Sequence, residues 1–273
     1  MSILNVEDIQ QPLSKLTSSN LEKLEVFSRV ASTNTYLLAQ PAPQAGRFRI
    51  AIADYQTSGR GRHYRRWISA PGSGLCLSMS YTFARMPEQL PALTLTVGVA
   101  VAESLHLLGV EGIRLKWPND IVALDGKLGG ILTEVRPGSE SGDGVTVVVG
   151  LGLNVHVRDQ IDFGEDSDWA HRAVDLNSIM DALPDREFLA ATIIEHLYDS
   201  MVKFEAQGLV SKDWQQHDWL LGREVTVDMP DRQITGTAAG VAEDGALLID
   251  TGSGQQRVIS GSIVMAGGGE QRR

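Results

Sequence analysis

The sequence predicts an α+β protein with a large N-terminal domain over residues 1–220 and a small β-rich C-terminal domain over residues 221–273. Three observations support this prediction. Strand-like and helix-like patterns of apolar residues alternate through the N-terminal part of the chain. After Gly222, short β-rich runs are separated by turn residues. A chain of 273 residues, of which 42% are hydrophobic, can bury a large core and still form a second, smaller unit.

The N-terminal part begins with polar residues, for which we expect at most a short helix. Alternating apolar residues then predict three strands, over residues 24–30, 48–53 and 74–82. A short helix over residues 35–39 is predicted between the first two strands, with Ser32 as its N-cap. Pro41 and Pro43 should end this helix, because proline cannot continue one.

The middle of the chain predicts a buried helix followed by further strands. The helix covers residues 89–108, is apolar almost all round and stops at Gly109. Strands are then expected over residues 113–116, 121–124, 127–135 and 145–155. The Asp125-Gly126 dipeptide predicts a tight turn between two of them. Loops are expected over residues 138–144 and 158–168.

The C-terminal part predicts two helices and a small antiparallel barrel. The helices cover residues 186–207 and 211–217. Four short strands follow, over residues 224–228, 233–241, 246–250 and 256–259. Their spacing is typical of small barrels. The glycine-rich residues 267–270 are expected to be disordered.

Composition indicates an enzyme of the cytoplasm. The net charge of −10 and the pI of about 5.1 argue against a nucleic-acid-binding face. The single cysteine, Cys76, excludes an internal disulfide framework and is expected to be a packed thiol. The longest apolar run, over residues 92–102, is too short to cross a membrane, and no signal peptide is recognised.

A loop rich in arginine, over residues 56–67, stands out in this acidic background. It contains Gly59-Arg60-Gly61-Arg62, followed by Arg65 and Arg66. Glycine permits positive φ and close approach of the backbone to a ligand, and each guanidinium can bind a carboxylate or phosphate. The loop is therefore predicted to bind a small anion and to be ordered by it. The alternative is a solvated basic loop without a ligand.

Three polar clusters interrupt the apolar strands, and we expect them to converge on one cleft. They lie at residues 56–67, 116–120 and 127–130. Their lysines and arginines would stabilise several negative charges, as in the reaction of a nucleoside triphosphate with a carboxylate or phosphate. The phosphate loop GxxxxGK[ST] is not found, and residues 150–155 match GxGxxG only in part. No side-chain spacing predicts a metal cage, so Mg²⁺ would be held largely by the phosphates.

Five motifs, taken in order, resemble the signature of bacterial biotin protein ligases, the biotin–[acetyl-CoA-carboxylase] ligases. They are Ser32-Thr33-Asn34, Gly59-Arg60-Gly61-Arg62 with Trp67, Lys116-Trp117-Pro118-Asn119-Asp120, Lys127-Leu128-Gly129-Gly130-Ile131-Leu132 and Gly150-Leu151-Gly152-Leu153-Asn154. The resemblance implies a central mixed β-sheet with flanking helices, similar to class II synthetases, and a C-terminal SH3-like barrel. It also implies that biotin and ATP form biotinyl-5′-AMP and pyrophosphate, and that a lysine of the biotin carboxyl carrier protein then takes the biotin.

The resemblance also implies roles for individual residues. Those near the reacting groups are Lys127, Arg62, Lys116 and Asp120, with Asp120 as a candidate oxygen ligand of Mg²⁺. Those around biotin are Ser32, Thr33, Asn34, Gln56, Gly59, Arg60, Gly61, Arg62, Trp67, Lys127, Gly130 and Gly150. Those around the nucleotide are Arg62, Arg65, Trp67, Lys116, Asn119, Asn154 and Trp169.

Some residues have a second explanation or depart from the family pattern. Trp67 is equally explained by loop packing, and Trp117-Pro118 by the fixing of a turn. His63-Tyr64 replaces basic or small residues in the loop, and residues 261–266 lack an arginine that some members place near the nucleotide. Repressor members carry an N-terminal helix-turn-helix domain, which we expect to be absent because the first predicted strand begins at Leu24.

Two other functions remain open at this point. One is an octanoyl- or lipoyl-attaching enzyme on the same scaffold, which the complete arginine loop and the C-terminal β unit disfavour. The other is a non-catalytic binding protein or transcriptional regulator, which the acidic charge disfavours. We expect neither DNA nor a membrane as a partner, and a homodimer is left open.

Overall fold

A computed structural model describes residues 4–136, 144–157 and 173–265. Four sequence predictions therefore fall wholly or mainly outside the described residues. They concern the turn at 138–144, the loop at 158–168, Trp169 and the C-terminal residues 267–270.

The N-terminal part is built on a seven-stranded mixed sheet. Its strands are β1 (Leu21–Phe27), β2 (Phe48–Ala53), β3 (Gly74–Phe83), β4 (Arg114–Lys116), β5 (Asp120–Ala123), β6 (Gly126–Val135) and β7 (Val145–Asn154). The order across the sheet is β1-β2-β3-β7-β6-β5-β4. The pair β1–β2 is parallel and every other pair is antiparallel. This confirms the mixed sheet that the family resemblance implies.

Six α-helices accompany the sheet in the described part of the chain. They are α1 (Val6–Gln10), α2 (Lys15–Asn20), α3 (Thr33–Ala39), α4 (Leu93–Leu107), α5 (Arg186–Gln207) and α6 (Ser211–His217). The predictions for α3, α5 and α6 are confirmed, and the predicted buried helix is α4 preceded by a 3₁₀ turn over Leu90–Ala92. By length and composition Leu90–Leu107 could cross a membrane, but 61% of it is buried in the protein core.

The two faces of the sheet are covered differently. On β2, Ile50 and Ile52 belong to the main core with α4 and α5, whereas Ala51 packs with Leu37 of α3 and Val148 on the other face. Strand alternation produces this separation, because successive side chains point to opposite faces. Since α3 is only seven residues long, it covers a small part of its face.

The C-terminal part is a five-stranded antiparallel sheet. Its strands are β8 (Glu224–Asp228), β9 (Gln233–Val241), β10 (Leu247–Thr251), β11 (Gly254–Val258) and β12 (Ser262–Met265), in the order β11-β10-β9-β8-β12. The sequence predicted the first four of these strands but not β12. The predicted barrel is not closed in the described strands, because β11 and β12 remain the two edges.

Three local predictions differ from the structure. The turn before β6 has Leu124 and Asp125 as its central residues, with φ of 49° and 53°, and not Asp125-Gly126. Positive φ at both central positions is typical of a type I′ two-residue hairpin turn, and Asp tolerates it better than Leu. At the N-terminus, two short helices replace the predicted single helix, and β1 begins and ends three residues early.

Candidate active site

The face of the sheet beside α3 presents small residues where a ligand could lie. Gly130 of β6 pairs with Gly152 of β7, which pairs with Cys76 of β3. One step along the sheet, Gly150 pairs with Ser78. Because paired residues in neighbouring strands share a face, these five residues form one surface, which we call the sheet floor.

Trp67, the last residue of the arginine loop, packs on the sheet floor. A Cβ atom at Gly152 would lie 2.4 Å from the indole ring, so only glycine permits this contact. A Cβ atom at Gly130 would lie 3.7 Å from the same ring and 3.4 Å from Cε of Lys127. The packing explanation and the ligand-contact explanation of Trp67 are therefore compatible, because the ring packs on the surface where biotin was predicted to bind.

The beginning of α3 forms a polar pocket at one end of the floor. The Ser32 hydroxyl caps the helix by accepting from the Thr35 amide, as predicted. The Thr33 amide and hydroxyl both donate to Oε1 of Gln56, at 2.8 and 3.1 Å. The Ser78 hydroxyl reaches the Thr33 hydroxyl at 2.6 Å. The structure thus brings together the predicted residues Ser32, Thr33 and Gln56 and adds Ser78.

Asn34 has all its polar atoms engaged by the protein. Its carbonyl accepts from Ser78, and its amide donates to the Leu132 carbonyl and to the Glu134 carboxylate at 2.9 Å. A Cβ atom at Gly150 would lie 2.2 Å from the Asn34 carbonyl oxygen. Gly150 therefore makes room for Asn34, and Asn34 organises the pocket.

The arginine loop folds back on itself as a tight hairpin. The Trp67 amide donates to the Gly59 carbonyl, and Arg60 pairs with Arg66. A Cβ atom at Gly59 would lie 2.5 Å from the Trp67 carbonyl oxygen, so close approach of the backbone requires this glycine. Neither Gly59 nor Gly61 has the positive φ that glycine permits. The left-handed residue of this loop is His63, with φ of 53°.

Glu134 holds the loop against the sheet. Its Oε1 accepts from the Arg60 guanidinium at 2.7 Å, while Oε2 binds the Asn34 amide. The Arg60 side chain also donates to the Thr35 hydroxyl. Glu134 lies outside the five sequence motifs and was not among the predicted site residues. The signal that could have found it is its position two and four residues after Leu132 and Gly130, on the floor side of β6.

Arg62 lines a cleft that α4, β6 and the turn between β9 and β10 also border. Ile131, Thr133 and Gly245 also line this cleft, whose volume is about 140 Å³. Burial lowers the pKa of the Arg62 guanidinium, and the nearby Asp120 carboxylate opposes this effect. A partly buried guanidinium that lines a cleft suits an anionic ligand.

Lys116 and Lys127 converge on Asp120. The Lys127 ammonium forms an ion pair with Asp120 at 2.5 Å. Lys116 is only 4% exposed, and burial lowers its pKa to about 8. Asp120 raises this pKa, whereas the charges of Lys127 and Arg65 lower it. We call Arg62, Lys116 and Lys127 the cationic cluster. Its formation confirms the expected convergence of the three polar segments.

Asn119 and Asn154 use their amides on the backbone. The Asn119 amide donates to the Ile131 carbonyl at 2.8 Å. The Asn154 amide donates to the carbonyls of Lys127 and Val174, at 3.3 and 3.1 Å. Asn154 thus fixes the backbone of Lys127. Among the described residues, no group of three His, Cys, Asp or Glu side chains could hold a metal ion.

Comparison with known proteins gives two family matches. Residues 26–154 match the biotin/lipoate A/B protein ligase family, and residues 220–265 match the biotin protein ligase C-terminal domain.

Individual relatives are similar to this chain over most of its length. The bifunctional ligase/repressor BirA of Salmonella typhimurium is 35% identical over 242 residues, which are 87% of this chain and 71% of the relative. The biotin–[acetyl-CoA-carboxylase] ligase of Mycobacterium tuberculosis is 32% identical, over 90% of both chains. The solved biotin protein ligase of Aquifex aeolicus, in complex with biotin and ATP, superposes with a TM-score of 0.74 at 27% identity. That match covers 90% of this chain and all of the Aquifex chain.

Proposed function

The chain belongs to the biotin protein ligase family, and on this premise we propose that it activates biotin with ATP and transfers it to a carrier protein. In the first step a biotin carboxylate oxygen attacks the α-phosphorus of ATP. The bond to the β-phosphate breaks, so that biotinyl-5′-AMP forms and pyrophosphate leaves. In the second step a neutral lysine amine of the biotin carboxyl carrier protein attacks the anhydride carbonyl. An amide forms, AMP leaves and the amine proton passes to solvent.

The cationic cluster beside the sheet floor is the observation that carries this proposal. Arg62, Lys116 and Lys127 all interact with one carboxylate, that of Asp120. A triphosphate meeting a carboxylate needs such a cluster, because the charges of both reactants must be brought together. The uncharged floor next to it suits the apolar ring and tail of biotin.

The polar pocket at the start of α3 would hold the ureido group of biotin. Thr33, Gln56 and Ser78 offer donors and acceptors there that already have fixed directions. Since the Trp67 ring packs against Gly152, biotin on the sheet floor would lie against the indole ring, which would close over the ligand. The roles of Gly59, Gly61 and Arg60 are to shape and hold the loop that carries Trp67.

Among charged residues, Lys127 would act on the first step. Negative charge moves through the phosphate oxygens to pyrophosphate in the transition state, where a fixed ammonium stabilises it most. Lys116 and Asn119 would lie nearer the triphosphate, and Arg62 and Arg65 would cover the α-phosphate from the loop. Asn154 and Trp169 are proposed to border the adenosine.

Mg²⁺ would enter with ATP. Bound to the triphosphate, it supplies positive charge that makes pyrophosphate a better leaving group. Asp120 is the carboxylate of the described site that could reach it, and its pairing with Lys127 would then be exchanged for the metal. Biotin and ATP are the co-substrates in this account.

The proposed setting is the cytoplasm, with the carrier protein as the partner. The net charge of −10 gives no general affinity for DNA or for anionic membranes. A homodimer is compatible with the proposed reaction and is not required by it.

Comparing biotin, lipoate and octanoate as substrates tests this function against lipoate or octanoate activation on the same scaffold. Pyrophosphate release is measured with Mg-ATP and each acid in turn. Biotin alone should stimulate release at micromolar concentration. Stimulation by lipoate or octanoate but not by biotin would replace the proposal with the lipoyl-attaching function.

A further inference from the structure

Trp219 lies where the chain passes from α6 to the C-terminal sheet, and it contacts the cationic cluster. It is only 7% exposed. Its backbone amide donates to the Leu115 carbonyl at 2.9 Å, next to Lys116. The Lys116 ammonium lies 5.9 Å from the centre of its indole ring, and the Arg223 guanidinium lies 4.0 Å from it. The ring thus contacts the buried lysine and a cation from the C-terminal sheet.

The polar edge of the same ring holds the turn that precedes Lys127. The indole N–H donates to the Asp125 carboxylate at 3.2 Å. Asp125 is the second of the two left-handed residues in this turn, and Lys127 follows two residues later. Because β6 begins directly after the turn, the position of Asp125 determines where the Lys127 backbone starts.

We propose that Trp219 is a positioning residue for both lysines of the cationic cluster. Its ring face fixes Lys116 through cation–π attraction and excluded water. Its N–H fixes Lys127 through the Asp125 turn. The inference rests on the proposed function, because it assumes that these lysines act on ATP. Trp219 lies outside all five sequence motifs.

The alternative is that Trp219 only packs the junction between the two parts of the chain. Loss of packing would lower stability and would reduce both half-reactions in proportion to the folded fraction. Loss of positioning would act on biotinyl-AMP formation alone, because transfer from preformed biotinyl-AMP expels no pyrophosphate. The two half-reactions therefore distinguish positioning from packing.

The test uses Trp219→Leu, Trp219→Phe and Asp125→Gly in the full chain. Glycine is chosen at position 125 because it accepts the positive φ there. Trp219→Leu should lower kcat for biotin-dependent pyrophosphate release by about 10- to 100-fold, as small displacements of catalytic groups do. KM for biotin and transfer from synthetic biotinyl-AMP should stay near wild type. Trp219→Phe keeps the ring face and should recover part of kcat.

The bond to Asp125 is tested by combining variants. If the indole N–H acts through Asp125, the double variant Trp219→Phe/Asp125→Gly should be no slower than the slower single variant. Leu197→Ala, in the fully buried core of α5, is the control for lost stability and should slow both half-reactions equally.

Three results would overturn the inference: unchanged kcat in Trp219→Leu, equal loss in both half-reactions, or additive losses in the double variant. Wild-type protein is measured alongside. If wild type forms no biotinyl-AMP, the proposed function fails. If wild type forms it and the variants do so equally well, only the role of Trp219 fails.

Discussion

The ammonium of Lys127 lies 2.5 Å from the carboxylate of Asp120, across the hairpin that β5 and β6 form. Lys127 is fixed at its backbone by Asn154 and Val174, which both bind its carbonyl. At its other end the side chain passes beside Gly130. A lysine held in this way has its ammonium at a fixed place beside Gly130 of the sheet floor, and a fixed charge is the condition for electrostatic preorganisation.

Replacing Lys127 with glutamine should stop biotinyl-AMP formation while the protein stays folded. Losing one preorganised charged donor typically lowers the rate by ~10²–10³-fold. Transfer from synthetic biotinyl-AMP should suffer less, since that step releases no pyrophosphate. Lys203→Gln is a matched control, because Lys203 is an exposed lysine that pairs with Asp199 on α5. Near wild-type activation by Lys127→Gln would remove Lys127 from the mechanism and point to Lys116.

Arg62 should hold the mixed anhydride until the carrier protein docks. Its guanidinium is partly buried and lines the cleft, so Arg62→Gly should release biotinyl-AMP faster and label bystander lysines. The measurement is the lifetime of the bound intermediate after excess biotin is removed. Arg232→Gly, an exposed change in the C-terminal sheet region, should not alter it. An equal lifetime in Arg62→Gly and wild type would show that the loop retains the intermediate by other contacts.

The arginine loop should be cleaved more easily without ligand than with biotinyl-AMP. One side-chain tether between the loop and the sheet is the Arg60–Glu134 ion pair, which is partly exposed and so worth ~0.2–1 kcal/mol. Glu134→Gln should therefore increase cleavage within residues 58–66 by up to about fivefold. Adding biotin and Mg-ATP should protect the loop in both proteins. If the cleavage rate changes neither with the ligand nor with Glu134→Gln, the loop is not ordered by the ligand.

Activation should become slower as the pH rises through about 8. Burial lowers the pKa of Lys116 to about 8, so its ammonium is present below that pH and is lost above it. The effect should appear in kcat/KM, which reports the free protein. It should be weaker in kcat, because bound phosphates favour the charged lysine. Lys116→Arg, whose guanidinium remains charged, should move the decline to higher pH. An alkaline decline that is the same in wild type and Lys116→Arg would exclude Lys116 as its cause.

Much of the fold could be predicted because the spacing of apolar residues, and the glycines and prolines that end helices and strands, are local features of the sequence. The bounds of β2, α5 and α6 follow from apolar periodicity and match the structure. The convergence of the polar segments was also predictable, since loops at one end of a sheet meet. The domain boundary near residue 220 falls between α6 and β8 and stays a prediction.

What could not be predicted depends on contacts between distant parts of the chain. That Gly152 receives the Trp67 ring and Gly150 receives Asn34 follows from the register of β6, β7 and the loop. Ser78 was not among the predicted site residues. A signal for it existed, since small side chains alternate with large apolar ones along β3. His63 adopts the left-handed conformation within the hairpin that the arginine loop forms. The identity of a single residue does not predict this conformation.

Mass detection of biotinyl-AMP tests the central claim most directly. The purified chain is mixed with biotin and Mg-ATP without carrier protein, and the bound small molecules are released and weighed. The account predicts biotinyl-5′-AMP at close to one equivalent per site, together with pyrophosphate, and its loss in Lys127→Gln. Bound biotin and unreacted ATP, with no adenylate at any time, would contradict it.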